Sequence, residues 1–199
     1  MNHLAHVLLA GPRPHARLGA MLGDFWHGAP DRGWPQDIEA GVRLHRKIDV
    51  YTDSHPVVVE ARGLFEPPLR RYAGILLDVH FDHVLARDWA AHADEPLATL
   101  SAGVLAQLAA NAAWLPGDLN RFAGYMQQHG LFAAYAQRDV IERVLAGIGA
   151  RLRHANPLAG AAPALWRNAT ALESAFARFF PDLRRECARL RVQFGIDVP

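Results

Sequence analysis

The chain has 199 residues, 51% of them hydrophobic and 21% charged, with 16 glycines and 13 prolines; this excludes disordered, collagen-like and low-complexity classes and suffices for a compact core. With 21 Lys+Arg against 20 Asp+Glu the formal charge is +1, too even for bulk charge to drive binding to nucleic acid or a membrane surface. The lone cysteine, Cys187, rules out an intramolecular disulfide, a thiolate zinc cluster and a CxxC redox pair, and fits a reducing compartment.

The N-terminal apolar run Val7–Ala10 has no basic segment before it and follows His3 and His6, so no signal peptide is expected. Ala-, Leu- and Arg-rich segments separated by Pro and Gly predict an all-α, single-domain helical bundle over residues 1–199. Its first helix runs from about His15 to His27, carries Asp24 near its end, and leads into a Gly/Pro/Asp loop from Gly28 to Pro35. A second runs from Gln36 to Asp53 with Ile38, Val42 and Ile48 as core positions, and Pro56 suits the first turn of a short third. A long helix from Pro68 to Ala91 has apolar positions around more than half its circumference, which predicts a central place in the bundle. Further helices are expected at Leu97–Leu115, Asp118–His129, Asp139–Leu152, Pro157–Phe179 and Pro181–Phe194. Asp118 is a candidate cap, and Asn156–Pro157 reads as a cap followed by a first-turn proline. The apolar segment Gly103–Leu115 is interrupted by Gln107 and Asn111, so no membrane span is expected and the protein is placed in the cytoplasm. The site is expected within residues 1–92, the remaining bundle helices within 93–199.

Nine of the eleven histidines fall in the first 92 residues. On the second helix His45, Asp49 and Asp53 stand at i, i+4 and i+8, each step turning only about 40°, so they share a face. Asp78 and Asp82 repeat the i, i+4 relation on the long helix, with His83 next to Asp82. Carboxylates in so apolar a helix need a cation or an Arg partner. Each residue taken singly is explained by ion pairs with Arg43, Arg46 or Arg87; together with Asp24 they suggest a shared metal site of carboxylate oxygens and imidazole nitrogens. That donor set suits Mn²⁺, Mg²⁺, Fe²⁺ or Zn²⁺ acting on phosphate, where the ion polarises a phosphoryl oxygen and acidifies bound water. Arg46 and Lys47 are candidates for neutralising the remaining phosphate charge. GxSxG, GxxxxGK[ST] and HExxH are all missing from the sequence.

The opening MNHLAH, then LGAMLGDFWHG, GVRLHRKIDVYTD, the VEAR of Val59–Arg62 and LLDVHFDHVLARDW together resemble the acyl carrier protein phosphodiesterase family, an atypical relative of the HD phosphohydrolases. The resemblance implies an HD-domain-like all-α fold, Mn²⁺ as the favoured ion, and removal of the 4′-phosphopantetheine arm from holo acyl carrier protein by phosphodiester hydrolysis. Asp24, His45, Asp49, Asp53, Asp78, Asp82 and His83 fall on the family's motif positions, and His6 on its opening motif. His3 and His80 stand where the family usually has apolar or aromatic residues. The resulting expectation is a metal held by Asp24, His45, Asp49, Asp78, Asp82 and His83, with Asp24, Asp49, Arg46 and Lys47 as catalytic groups. An acidic carrier protein would dock on a local basic surface drawn from Arg43, Arg46, Lys47, Arg62, Arg70 and Arg71. Two other readings stand beside this one: hydrolysis of a small phosphate ester or nucleotide at the same site, and a non-catalytic helical binder of the carrier.

Overall fold

The computed structural model describes residues 1–29 and 33–197, so part of the expected Gly28–Pro35 loop lies outside the described residues. These residues form eleven α-helices and three 3-10 turns, with no strand among them. The chain opens with α1 (His3–Leu9), α2 (Pro14–Leu22), α3 (Gln36–Ser54), α4 (Pro56–Arg62) and α5 (Ala73–Arg87). It continues with α6 (Leu97–Ala110), α7 (Gly117–His129), α8 (Leu131–Ala134), α9 (Arg138–Arg151), α10 (Ala162–Arg167) and α11 (Ala169–Gln193). None of these helices is long and apolar enough to cross a membrane.

The expected central helix is shorter than its apolar pattern suggests. Its body is α5, and the segments read as its ends are 3-10 turns at Leu69–Tyr72 and Trp89–Ala91. Placement is nonetheless central: Leu76, Val79, Phe81 and Leu85 are buried, and α5 packs on α1, α4, α8, α9 and α11. The C-terminus departs in the other direction. Pro181 predicts a division between two helices, yet α11 runs through it. A proline costs the helix one hydrogen bond, but Phe176, Phe179, Phe180, Leu183, Cys187 and Leu190 are buried on both sides of it, and that continuous apolar stripe outweighs the lost bond. Asn156 Oδ1 accepts from the Leu158 amide at 3.2 Å, but Asn156 is not the expected cap: the element that follows is only the 3-10 turn Leu158–Gly160, whose N-cap is Pro157. Asp118 does not cap α7, whose N-cap is Pro116; it pairs with Arg121.

The tightest crossing in the fold, between α2 and α3, is made by glycines. A Cβ on Gly19 would lie 2.1 Å from the Ile38 carbonyl oxygen, and one on Gly41 would lie 2.3 Å from that of Ala16. With neither present the two backbones meet, and the last turn of α2 is delivered to the middle of α3.

Candidate metal centre

That approach brings the loop after α2 onto the inner face of α3. Ala20, in α2, presents its carbonyl oxygen to His45 at 2.8 Å, so the His45 Nδ1 carries the proton and donates it. Nε2 is thereby turned toward two carboxylates, Asp24 Oδ1 and Asp49 Oδ2, each at 3.3 Å. Gly23 seals the arrangement, since a Cβ there would stand 2.3 Å from His45 Cγ. A fourth group comes from α1. His6 stacks on His45 with ring centroids 3.8 Å apart and holds Nε2 at 3.1 Å from Asp49 Oδ1 and 3.0 Å from the Met1 carbonyl. His3, one helical turn earlier, places Nδ1 2.9 Å from Asp24 Oδ2 and packs against Phe122.

His6, His45 and Asp49 each offer a ligand atom, and these atoms lie within 4.8 Å of one another, a spacing able to hold a metal ion. The donor set is imidazole nitrogen plus carboxylate oxygen, suited to a divalent cation. Two buried nitrogens remain unsatisfied in the protein alone: His6 Nδ1 has no hydrogen-bond partner, nor does His3 Nδ1 despite its closeness to Asp24. Both imidazoles are buried while the Asp24 and Asp49 side chains keep 42% and 45% of their exposure, so the cluster has an apolar back and an open front.

The electrostatics reflect this crowding. Burial acts to depress the His45 pKa, but the Asp24 and Asp49 carboxylates against Nε2 win and raise it to about 9. For His6, burial and the neighbouring His45 charge dominate and lower the pKa to about 4. Asp24 and Asp49 are pushed below the usual carboxylate range: burial opposes this, and the imidazoles of His3 and His45 on one side and of His45 and His6 on the other overcome it. The two ionised carboxylates on the open front are thus balanced by the proton they hold on His45.

The remaining sequence-predicted site residues have other partners. Asp78 Oδ1 accepts from the buried Met1 α-amino group at 2.8 Å. Asp82 is fully buried and takes the Leu4 amide on Oδ2 at 2.8 Å and the Ala5 amide on Oδ1 at 3.1 Å. It therefore satisfies the orphan amides at the start of α1, and the cation it required is the positive end of a helix. His83 turns to the other flank of α5, where its Nδ1 donates to the Tyr135 carbonyl at 2.8 Å and its ring meets Trp166 edge-on. His80 is buried beside His83 with both ring nitrogens unpartnered. Asp53, on the predicted α3 face, lies one turn beyond the cluster and pairs with Arg62. Arg46 is committed to the loop that bears Asp24, donating to the carbonyls of Trp26 at 2.8 Å and Gly28 at 2.7 Å, and Lys47 is exposed.

His6 is absent from the expected ligand set, and Gly23 has no expected role. His6 comes from a different helix from His45, so no i, i+4 rule could join them. Gly23 belongs to the LGAMLGDFWHG segment, but nothing in the sequence gives the reason for a glycine there.

A cleft of about 650 Å³ opens beside the cluster. One wall is Asn2, His3, Asp24 and Phe25, the other is formed by α7 and α9 with Phe122, Tyr125, Val144, Gly147 and Ile148.

Comparison with known proteins gives a consistent picture. Residues 1–183 match the family model described as acyl carrier protein phosphodiesterase. A protein of that name from Enterobacter sp. (strain 638) is 37% identical over 185 residues, covering 91% of this chain and 94% of its own. Its namesake from Escherichia coli O6:H1 is 35% identical over 193 residues, 95% and 98% of the two chains, and that from Yersinia pestis 34% over 197 residues, 96% and 100%. No solved structure gave a significant match.

Proposed function

From the premise that the chain belongs to the acyl carrier protein phosphodiesterase family, we propose that it hydrolyses the phosphodiester joining 4′-phosphopantetheine to the serine of holo acyl carrier protein, with a divalent cation, Mn²⁺ foremost, held by His6, His45, Asp49 and Asp24. The observation that carries this reading is the convergence of His6, His45 and Asp49, whose ligand atoms lie within 4.8 Å of one another, with the Asp24 carboxylate 3.3 Å from the same His45 Nε2. A divalent ion there supplies Lewis-acid polarisation of a phosphoryl oxygen and lowers the pKa of water.

The chain's own groups do the rest. The scissile phosphorus of a carrier-bound serine stands a side chain's length from the carrier surface, so the reacting atoms must be met by an open front, which the exposed faces of Asp24 and Asp49 provide. Their ionised state makes them acceptors for the attacking water, whose hydroxyl goes to phosphorus while a proton goes to the departing serine Oγ. His3, beside Asp24 and facing the cleft, is the group placed to give that proton. Arg46 keeps Asp24 in position through the loop carbonyls it grips, acting as a positioning residue instead of a phosphate clamp. Lys47 on the exposed side of α3 stays available to the acidic carrier.

Mass spectrometry of holo carrier protein incubated with this protein, with Mn²⁺ and with chelator, tests the proposal. Loss of the prosthetic group that requires the cation is expected. Turnover of small phosphate esters or nucleotides that equals or exceeds turnover of the carrier would favour the small-substrate reading, and an intact arm in every sample together with no turnover of small esters would leave only the non-catalytic binder.

A further inference from the structure

The cleft between α1 and the α7–α9 wall shares His3 and Asp24 with the metal-type cluster, so any occupant has one end against the groups assigned to the phosphodiester. We propose that this cleft seats the pantetheine arm of the substrate, with the folded carrier remaining outside it; the proposal rests on the phosphodiesterase function.

Size is the first argument. At about 650 Å³ the cleft lies in the range of about 300–1,000 Å³ common for small-molecule sites, and it excludes a folded protein. Wall chemistry is the second. Phe122, Val144 and Ile148 give an apolar surface for the geminal methyls and methylenes of the arm. Asn2 and Tyr135 line the same space, joined by Asn2 Nδ2 donating to Tyr135 Oη at 3.0 Å. The buried Tyr135 hydroxyl, having accepted that bond, retains its own proton for an amide carbonyl of the arm, and the Asn2 carbonyl oxygen can accept from an amide N–H. Charge is the third. Of the three arginines lining the cleft, Arg121 and Arg143 are neutralised by Asp118 and Asp139 while Arg151 keeps its charge, and a single uncompensated cation suits an amide chain better than a nucleotide with further phosphates.

Gly147 on α9 offers a direct test. It lines the cleft, and a Cβ built on it meets nothing within 4 Å, so Gly147→Phe adds a ring to the cleft without a backbone clash and replaces a poor helix former. Two readouts are used: binding of free 4′-phosphopantetheine by calorimetry, and KM for holo carrier protein. Gly147→Phe is expected to weaken both by about tenfold or more. Gly103→Phe, which places the same ring on the exposed side of α6, should leave both unchanged, and Gly147→Leu should fall between. Circular dichroism checks the fold of each. Equal binding and equal KM in wild type and Gly147→Phe, or no binding of the free arm to the wild type, would overturn the cleft assignment. A wild type that removes the arm from the carrier while Gly147→Phe is indifferent overturns the cleft alone; a wild type that binds the free arm but never releases it from the carrier overturns the function and keeps the cleft.

Discussion

Asp82 is where a ligand reading and a structural reading make opposite predictions. Both carboxylate oxygens accept backbone amides of α1, at 2.8 Å from Leu4 and 3.1 Å from Ala5, in a fully buried position. Asp82→Ala leaves two buried donors without partners, each costing about 1–3 kcal/mol, and relieves the burial of one carboxyl. A net loss of about 2–4 kcal/mol results, which in a chain of this length lowers Tm by about 6–12 °C. Asp82→Asn keeps one acceptor and should lose about half as much. Metal affinity falls only as far as α1 loosens and carries His6 with it. The carboxyl also gives a pH signature: burial raises its pKa to about 7, against the backbone hydrogen bonds that oppose the shift. The unfolded chain releases this proton near pH 4 and the folded chain near pH 7, so the Asp82 contribution is complete below about pH 4 and is lost as pH rises to about 7. Asp82→Asn removes that part of the slope. Thermal melts of wild type and both variants across pH 4–8, with metal content measured on the same samples, decide the matter. A variant with unchanged Tm and no bound metal would refute the structural role and restore Asp82 as a ligand.

Gly23→Ala places a methyl 2.3 Å from His45 Cγ, so the ring must leave its seat; kcat/KM should fall about 100-fold with a stability loss of about 1–3 kcal/mol, and wild-type kinetics in the variant would contradict this packing. Because the carboxylates hold His45 protonated up to about pH 9, a cation must displace that proton: Mn²⁺ affinity by equilibrium dialysis should rise about tenfold per pH unit from pH 6 and level off near 9, and a flat profile would remove His45 from the ligand set. Chelation should abolish arm release and added Mn²⁺ restore it, whereas His45→Ala should show no restoration at the same concentration. His80 is buried without partners and its pKa is lowered to about 4, chiefly by burial. The unfolded chain takes up its proton near pH 6.5 and the folded chain resists until about 4, so this residue costs stability as pH falls through that window; His80→Leu should flatten the acid limb of the melting curve, and an unchanged limb would contradict it.

The sequence by itself determined the helical class, the centrality of α5 and one edge of the site. Apolar periodicity is a local property, and so is the i, i+4 relation that put His45 and Asp49 on one face of α3. The same reasoning could say that Asp78 and Asp82 needed positive partners but not which ones, because a helix start and an α-amino group carry no side-chain signature; it read as metal ligands two carboxylates that anchor α1. It placed Asp53 with His45 and Asp49, although one further helical turn carried it to Arg62. It also treated Pro181 as a break, since the penalty is written in the residue while the compensating burial of α11 depends on neighbours far away in the chain. Which histidine joins His45 was settled only in three dimensions: α1 is pinned to α5 by Asp82, the glycine crossing sets α2 against α3, and the two together stack His6 on His45. Ligand geometry arises where separate helices meet, and the angle and distance of that meeting are fixed by packing, which no single stretch of sequence encodes.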